Sequence, residues 1–235
     1  MVKYKGIIFD LFGTLVNIFS RQEYESVLDE MISVLKAPRD EFSQQWYQTG
    51  KQRATGEFRT LEDNLEHIGR VLKIPFSARQ IGIAGKIRLD LVARALAPKP
   101  DALETLGRLK SDGYKIALVS NCSTEPPLIW PDTPFAPYFD AAIFSSTCGL
   151  QKPDPRIFQL AAGKLAVNPE ACIFIGDGDS NELTGAARAG MRPVLIRDPG
   201  EDIPSVIRTG YQGDTWEGDA IASLKELIKL LEENG

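Results

Sequence analysis

The chain has 235 residues, 43% of them hydrophobic and 25% charged, with a formal net charge of −5 and a pI near 5.1. That length and composition suit a globular protein with a sizeable core, and the acidic balance argues against broad electrostatic attachment to nucleic acid or an anionic membrane. No stretch approaches the ~18 apolar residues that span a bilayer.

Residues 1–5 run straight into an apolar segment and leave no room for a signal peptide. Cys122, Cys148 and Cys172 are far apart and without metal-type spacing. Reduced thiols in a cytoplasmic protein are the expectation. The first apolar run, Gly6-Ile7-Ile8-Phe9, ends on Asp10 and the turn Gly13-Thr14. A short apolar run closed by a turn predicts a strand buried on both faces of a parallel sheet. From Phe19 to Leu96 the pattern changes. Val27, Met31, Val34 and Leu35 recur at helical spacing, as do Leu61, Leu65, Ile68 and Leu72. Pro38 and Pro75 punctuate the block, with Asp40 and Ser77 as cap candidates. A further helical pattern covers residues 81–96. We read residues 17–96 as an all-helical insertion of about four helices, lodged in a core made of residues 1–16 and 97–235.

After Pro100 helices and strands alternate. The sequence predicts a helix over 102–109, a strand over 115–119 and a short strand over 141–144. A helix over 155–165, a strand over 171–175 and a helix over 180–190 follow. A fifth strand covers 192–196, and an amphipathic helix over 220–231 closes the chain. The segment 203–219 is poorly patterned and carries no assignment. This alternation predicts an α/β fold: a doubly wound, Rossmann-like parallel sheet with helices on both faces.

In such a sheet ligands bind beyond the carboxyl ends of the strands, and polar clusters stand at four of those ends. Asp10 follows the first strand, and Ser120-Asn121 the second. Lys152-Pro153 lies past the third, and Gly176-Asp177 closes the fourth, with Glu182 five residues beyond. The combination suits phosphoryl transfer, where a protein mainly supplies position and charge. Asp10 would be the nucleophile. Thr14, Ser120, Asn121 and nearby N–H groups would bind the phosphoryl oxygens, with Phe12 beside them against the substrate, and Lys152 would keep Asp10 ionised. Asp10, Asp177 and Glu182 offer the hard oxygens that Mg²⁺ prefers. Taken singly, each has a plain alternative as a turn, a solvated charge or a helix-start acid.

This order of residues resembles the haloacid dehalogenase-like hydrolase superfamily, with the stretch Gly176-Asp177-Gly178-Asp179-Ser180-Asn181-Glu182-Leu183 close to its fourth motif. The resemblance spans residues 6–196 and includes a helical cap placed directly after the first motif. It implies a covalent intermediate on Asp10 and, in most members, Mg²⁺-dependent phosphatase activity, with the cap setting substrate choice.

One position departs from the family pattern. Its phosphatases usually carry a second aspartate two residues after the first, as general acid and base; here that residue is Phe12. The Phe12 backbone carbonyl is still able to ligate a metal, but the side chain moves no proton. General acid–base help is typically worth about 10²–10⁴-fold. Members that cleave carbon–halogen bonds carry an aromatic residue there and need no metal. Their fourth motif generally lacks the Gly-Asp start that stands here as Gly176-Asp177. Our reading of the sequence is a Mg²⁺-dependent phosphatase acting on a small phosphorylated molecule, as a monomer or homodimer. The alternatives are a metal-free 2-haloacid dehalogenase using Asp10 and a non-catalytic phosphate- or metal-binding module.

Within the helical block, Trp46, Tyr47, Lys51 and Arg53 are expected on a packed or solvated helix face; the alternative is that they face the substrate, with Arg53 or Arg59 gripping an anionic group. Phe19 and Arg21 are secondary candidates for lining the site. His67, the single histidine, is expected to be structural, which removes a histidine-based triad or zinc site. Cys122 reads as a small buried hydrophobe rather than a nucleophile. Nothing marks Lys51 or Lys73 as a Schiff-base lysine.

Overall fold

A computed structural model describes residues 4–197 and 216–233. Six strands, β1 (Gly6–Phe9), β2 (Lys115–Ser120), β3 (Ala141–Phe144), β4 (Cys172–Gly176), β5 (Arg192–Ile196) and β6 (Ala220–Ile221), form one parallel sheet. Their order is β3-β2-β1-β4-β5-β6. Side chains alternate across a strand, so each apolar run supplies both faces. Ile7, Phe9, Ile116, Leu118, Ile173 and Ile175 point into one buried cluster, and Ile8, Ala117, Val119, Cys172 and Phe174 into the other. The strands therefore read as continuous apolar runs.

Five helices follow β1: α1 (Arg21–Leu35), α2 (Arg39–Gln48), α3 (Gly50–Thr55), α4 (Leu61–Leu72) and α5 (Ala78–Ala95). They enclose an apolar cluster of their own, built on Leu28, Met31, Phe42, Trp46, Leu65, Ile68 and Leu91. Burying each such side chain contributes about 1.5–3 kcal/mol. Sequence fixes the helix starts locally. Thr60 and Ser77 head capping boxes with Asp63 and Gln80, so orphan backbone donors are satisfied at both starts. At α5 the two halves join: Ile81, Ala84 and Leu91 face the helical cluster, while Val92 and Leu96 enter the sheet's first cluster.

The remaining helices are α6 (Ala102–Ser111), α7 (Glu125–Ile129), α8 (Ser145–Cys148), α9 (Pro155–Leu165), α10 (Glu182–Arg188) and α11 (Leu224–Glu233). Helices α6 and α11 cover one sheet face, α9 and α10 the other. None of the described helices is long and apolar enough to cross a membrane.

The fold is the expected one, with local corrections. Residues 21–95 hold five helices rather than about four, because α2 and α3 are separated at Thr49. Asp40 lies in the first turn of α2 and Pro38 is its N-cap, while Ser77 caps α5 as expected. The helix expected over 180–190 begins only at Glu182, since Ser180 and Asn181 take left-handed backbone conformations. Ala220–Ile221 pairs with β5 as an edge strand, and the last helix starts at Leu224 instead of Ala220. Helix α7 was not foreseen: its two prolines mask a single helical turn. Most of the unassigned segment 203–219 lies outside the described residues.

Candidate active site

Strand β1 has β2 on one side and β4 on the other, and the chain winds outward in both directions from it. This switch point opens a crevice at the carboxyl edge. The edge receives Asp10 from β1, Ser120 from β2 and Asp177 from β4. Asp10 is anchored by its N–H, which donates to the Ile175 carbonyl at 2.9 Å.

Lys152 is the hub of the crevice. It is buried, and its ammonium donates to Asp10 Oδ1 and to Glu182 Oε2, the latter at 2.6 Å. Its backbone is fixed by Asn121 in a reciprocal pair: Lys152 N–H donates to Asn121 Oδ1 at 2.9 Å, and Asn121 Nδ2 donates to the Lys152 carbonyl at 3.1 Å. The Asn121 amide is thus engaged in placing the lysine, and the residue also lines the cavity described below. Glu182 is likewise engaged at both oxygens, since Oε1 accepts from the Gly178 N–H at 3.0 Å. Two glycines make room for the acids. A Cβ at Gly13, whose φ is +86°, would sit 2.0 Å from Asp177 Oδ2, and one at Gly176 would sit 2.1 Å from Glu182 Oε1.

Burial pushes the Asp10 carboxyl above its ordinary value; the Lys152 ammonium pulls it back and Asp177 adds to the push. Glu182 is driven well upward by burial, against the pull of Lys152. Burial alone would lower Lys152, but Asp10 and Glu182 outweigh it and hold the ammonium charged. Asp179, beside Asp177, is raised to about 6 by burial and by that neighbour. Asp10, Asp177 and Glu182 each present a carboxylate oxygen within 4.8 Å of the others. Lys152 pairs with two of these carboxylates, Asp10 and Glu182, and burying like charges together is unfavourable without compensating positive charge.

Buried polar atoms nearly always find partners. Among the described residues Asp10 Oδ2, Thr14 Oγ1 and Ser120 Oγ are buried without a hydrogen-bond partner, as are Ser43 Oγ, Asn64 Nδ2 and Thr105 Oγ1 elsewhere in the fold. The first three belong to the same carboxyl edge.

A cavity of about 430 Å³ lies between this edge and the helical block. Its floor includes Lys152, Asp177 and Asp179, and its roof includes Arg53 and Arg88. Phe12 also lines it, stacked on Phe19 with ring centroids 5.0 Å apart.

A sequence profile described as "haloacid dehalogenase-like hydrolase" matches residues 4–190. The chain belongs to this family of hydrolases. (S)-2-haloacid dehalogenase 4A of Burkholderia cepacia is 30% identical over 202 residues, covering 83% of this chain and 84% of that protein. Glyceraldehyde 3-phosphate phosphatase of Methanothermobacter thermautotrophicus is 32% identical over 138 residues, covering 57% of this chain and 59% of its own. The crystal structure of a family phosphatase from Thermococcus onnurineus matches with a TM-score of 0.62 at 23% identity, covering 97% of each chain. A family enzyme of Bacteroides thetaiotaomicron, solved in complex with magnesium and inorganic phosphate, gives 0.63 at 20% identity, with 85% of this chain and 97% of that one covered. At these identities the likeness to the two solved structures is one of fold.

The hydrolase core thus brings together every strand-end residue expected from sequence. The helical block departs more from expectation. Tyr47, Lys51 and Arg53 line the cavity rather than a remote face, whereas Trp46 is buried beneath it. Phe19 also lines the cavity; Arg21, Arg59 and His67 do not, and His67 lies against Phe58. Cys122 is buried at the cavity wall with its thiol pushed up to about 12, an inert state. Lys73 lies in a separate surface hollow with Arg70 and Phe76.

Arg88 was missed. It is buried on α5 and donates through Nε to Glu125 Oε1 of α7 at 3.0 Å, an ion pair between helical block and sheet half. A signal for it exists: position 88 falls on the same helical stripe as Ile81, Ala84, Gly85, Leu91 and Val92. An arginine on a buried stripe needs a partner.

Proposed function

We propose that this hydrolase is a Mg²⁺-dependent phosphatase of small phosphorylated molecules, working through an aspartyl-phosphate on Asp10. The observation that carries this reading is the set of unpartnered buried oxygens on one edge. Asp10 Oδ2 is a carboxylate oxygen left for an electrophile, and the Thr14 and Ser120 hydroxyls are donors left for oxyanions.

The donor set fits Mg²⁺. Asp10 and Asp177 supply hard carboxylate oxygens, the Phe12 carbonyl is a third candidate, and Glu182 stands beside them while steering Lys152. The ion would balance the surplus of buried carboxylates and neutralise charge on the transferring phosphoryl group. In this scheme Asp10 Oδ2 forms a bond to phosphorus as the bond to the ester oxygen breaks, and Thr14 and Ser120 donate to the non-bridging oxygens. Lys152 holds Asp10 Oδ1 so that the other oxygen faces the substrate. Water then displaces the phosphoryl group from Asp10, releasing inorganic phosphate and restoring the carboxylate. Phe12 offers no proton to the departing oxygen, so esters with acidic leaving groups should react fastest. We further assign residues 17–96 as a cap over a core of residues 1–16 and 97–235; the cap excludes water and shapes the cavity.

A second reading, a metal-free 2-haloacid dehalogenase with Asp10 as nucleophile, is supported by the aromatic Phe12 and by the Burkholderia relative. One assay separates them: phosphate release from an aryl phosphate with Mg²⁺ and with chelator, alongside halide release from a 2-haloacid. Phosphate release that needs Mg²⁺ and falls to background in Asp10→Asn is the expected result. Halide release unaffected by chelator, with no phosphate release, would replace the first reading by the second.

A further inference from the structure

The cavity roof contains a buried guanidinium with no carboxylate in ion-pair contact among the described residues. Arg53 is only 8% exposed, yet no carboxylate among the described residues lies within ion-pair distance of it. Nη1 donates to neutral acceptors, the Trp46 carbonyl at 2.7 Å, Thr49 Oγ1 at 2.8 Å and Asn64 Oδ1 at 3.0 Å; Tyr24 also acts on the group, and Glu125 does so as a carboxylate beyond ion-pair distance. The guanidinium also stacks on the Trp46 ring, 3.9 Å from its centroid. These contacts hold the group in place without neutralising it. Burial lowers its pKa to about 10, so it stays charged at neutral pH. Arg88, in the same roof, shows the ordinary solution to the same problem, a paired Glu125.

Burying an unpaired charge is costly, and Arg53 lines the cavity that also holds Lys152 and Asp177. Its volume of about 430 Å³ leaves room for more than a phosphoryl group. We propose that Arg53 is an anion subsite, and that the substrate carries a second oxyanionic group, a carboxylate or another phosphate, besides the group that reacts at Asp10. The planar fork of arginine suits either oxyanion. This inference rests on the phosphatase reading for the identity of the reacting group only.

The test is binding, so it does not depend on turnover. With Mg²⁺ present, calorimetry compares 3-phosphonopropionate and 1,3-propylenediphosphonate with the neutral amide, 3-phosphonopropionamide. At least one of the doubly anionic probes should bind about tenfold or more tighter than the amide, as one charge-assisted contact gives. The preference should disappear in Arg53→Gln. Should that variant fail to fold, Asn64→Asp decides the matter. It keeps the arginine but puts a permanent carboxylate where Asn64 Oδ1 now lies, and so should abolish the preference too. Equal binding of all three probes, binding of none, or a preference that survives Asn64→Asp would overturn the subsite. Failure to release phosphate from any ester, with the binding preference intact, would count against the phosphatase reading and leave the subsite standing.

Discussion

The floor and the roof of the cavity bury charge in opposite ways. On the floor, Lys152 answers Asp10 and Glu182, the Gly178 N–H answers the other oxygen of Glu182, and the Asp179 N–H donates to Asp177 at 3.0 Å. Among the described residues, Asp10 Oδ2 is a buried carboxylate oxygen left without a partner. In the roof, Glu125 answers Arg88, while Arg53 has only neutral acceptors. The surplus is negative below and positive above. Charges paired within the protein place and stiffen the site, and the unpaired ones mark where a ligand of the opposite character belongs. An electrophile or cation suits the floor, and an oxyanion suits the roof.

The largest effect should come from removing the cation that pairs with Asp10 and Glu182. Lys152→Met would leave Asp10 and Glu182 buried without a counter-charge, and removing one partner of a buried pair costs about 3–5 kcal/mol. Phosphate release should fall to background in the same variant. Denaturant unfolding and an aryl phosphate assay measure both. A stability loss under about 1 kcal/mol would show that the floor does not depend on this pairing, and would break the contrast with the roof.

The floor was legible in the sequence and the roof was not, for a physical reason. Asp10, Ser120, Lys152 and Asp177 stand at or just past the ends of apolar runs long enough to be buried strands. A parallel sheet must bring those ends to one edge, so chain order alone implies convergence. Helical periodicity says which side of a helix is buried but not what lies opposite. Arg53 sits on α3, only six residues long and without an apolar stripe, so nothing in its spacing set it inward. Arg88 was readable as a charge on a buried stripe, but its partner Glu125 is in a proline-rich turn with no pattern. The strand end places Asn121 at the edge, but its reciprocal pair with the Lys152 backbone is a contact that no spacing rule reveals. Edge strand β6, of two residues, is too short for periodicity to register.

The next effect in size tests the roof's paired charge. Arg88→Met strands Glu125, which is almost wholly buried and which Arg88 holds below the ordinary carboxylate range against burial. A loss of about 3–5 kcal/mol in unfolding free energy is expected. The double variant Arg88→Met/Glu125→Leu should recover most of it, because a well-packed apolar pair is often no worse than a buried ion pair. The sign of the pH dependence is fixed by the depressed Glu125 value. Its contribution is present above the unfolded carboxylate pKa and is lost as pH falls through the folded one, so the double variant should show a shallower acid limb. No recovery in the double variant would make Arg88 a packing element rather than half of a pair.

The smallest effect concerns how the roof is held rather than what it binds. Tyr24 accepts a hydrogen bond from Trp46 Nε1 at 2.9 Å, and both side chains are buried. Tyr24→Phe keeps the ring beside Phe19 and removes the acceptor, leaving the indole N–H unsatisfied, which costs about 1–3 kcal/mol. Trp46 in turn carries the Arg53 guanidinium on its face and on its carbonyl. If the roof is a preorganised anion site, loosening Trp46 should weaken the doubly anionic probes more than the neutral amide, because only their affinity depends on where Arg53 stands. An equal weakening of all three probes, at the same loss of stability, would mean that Tyr24 supports the cavity wall in general and that Arg53 is held by α3 and Asn64 alone.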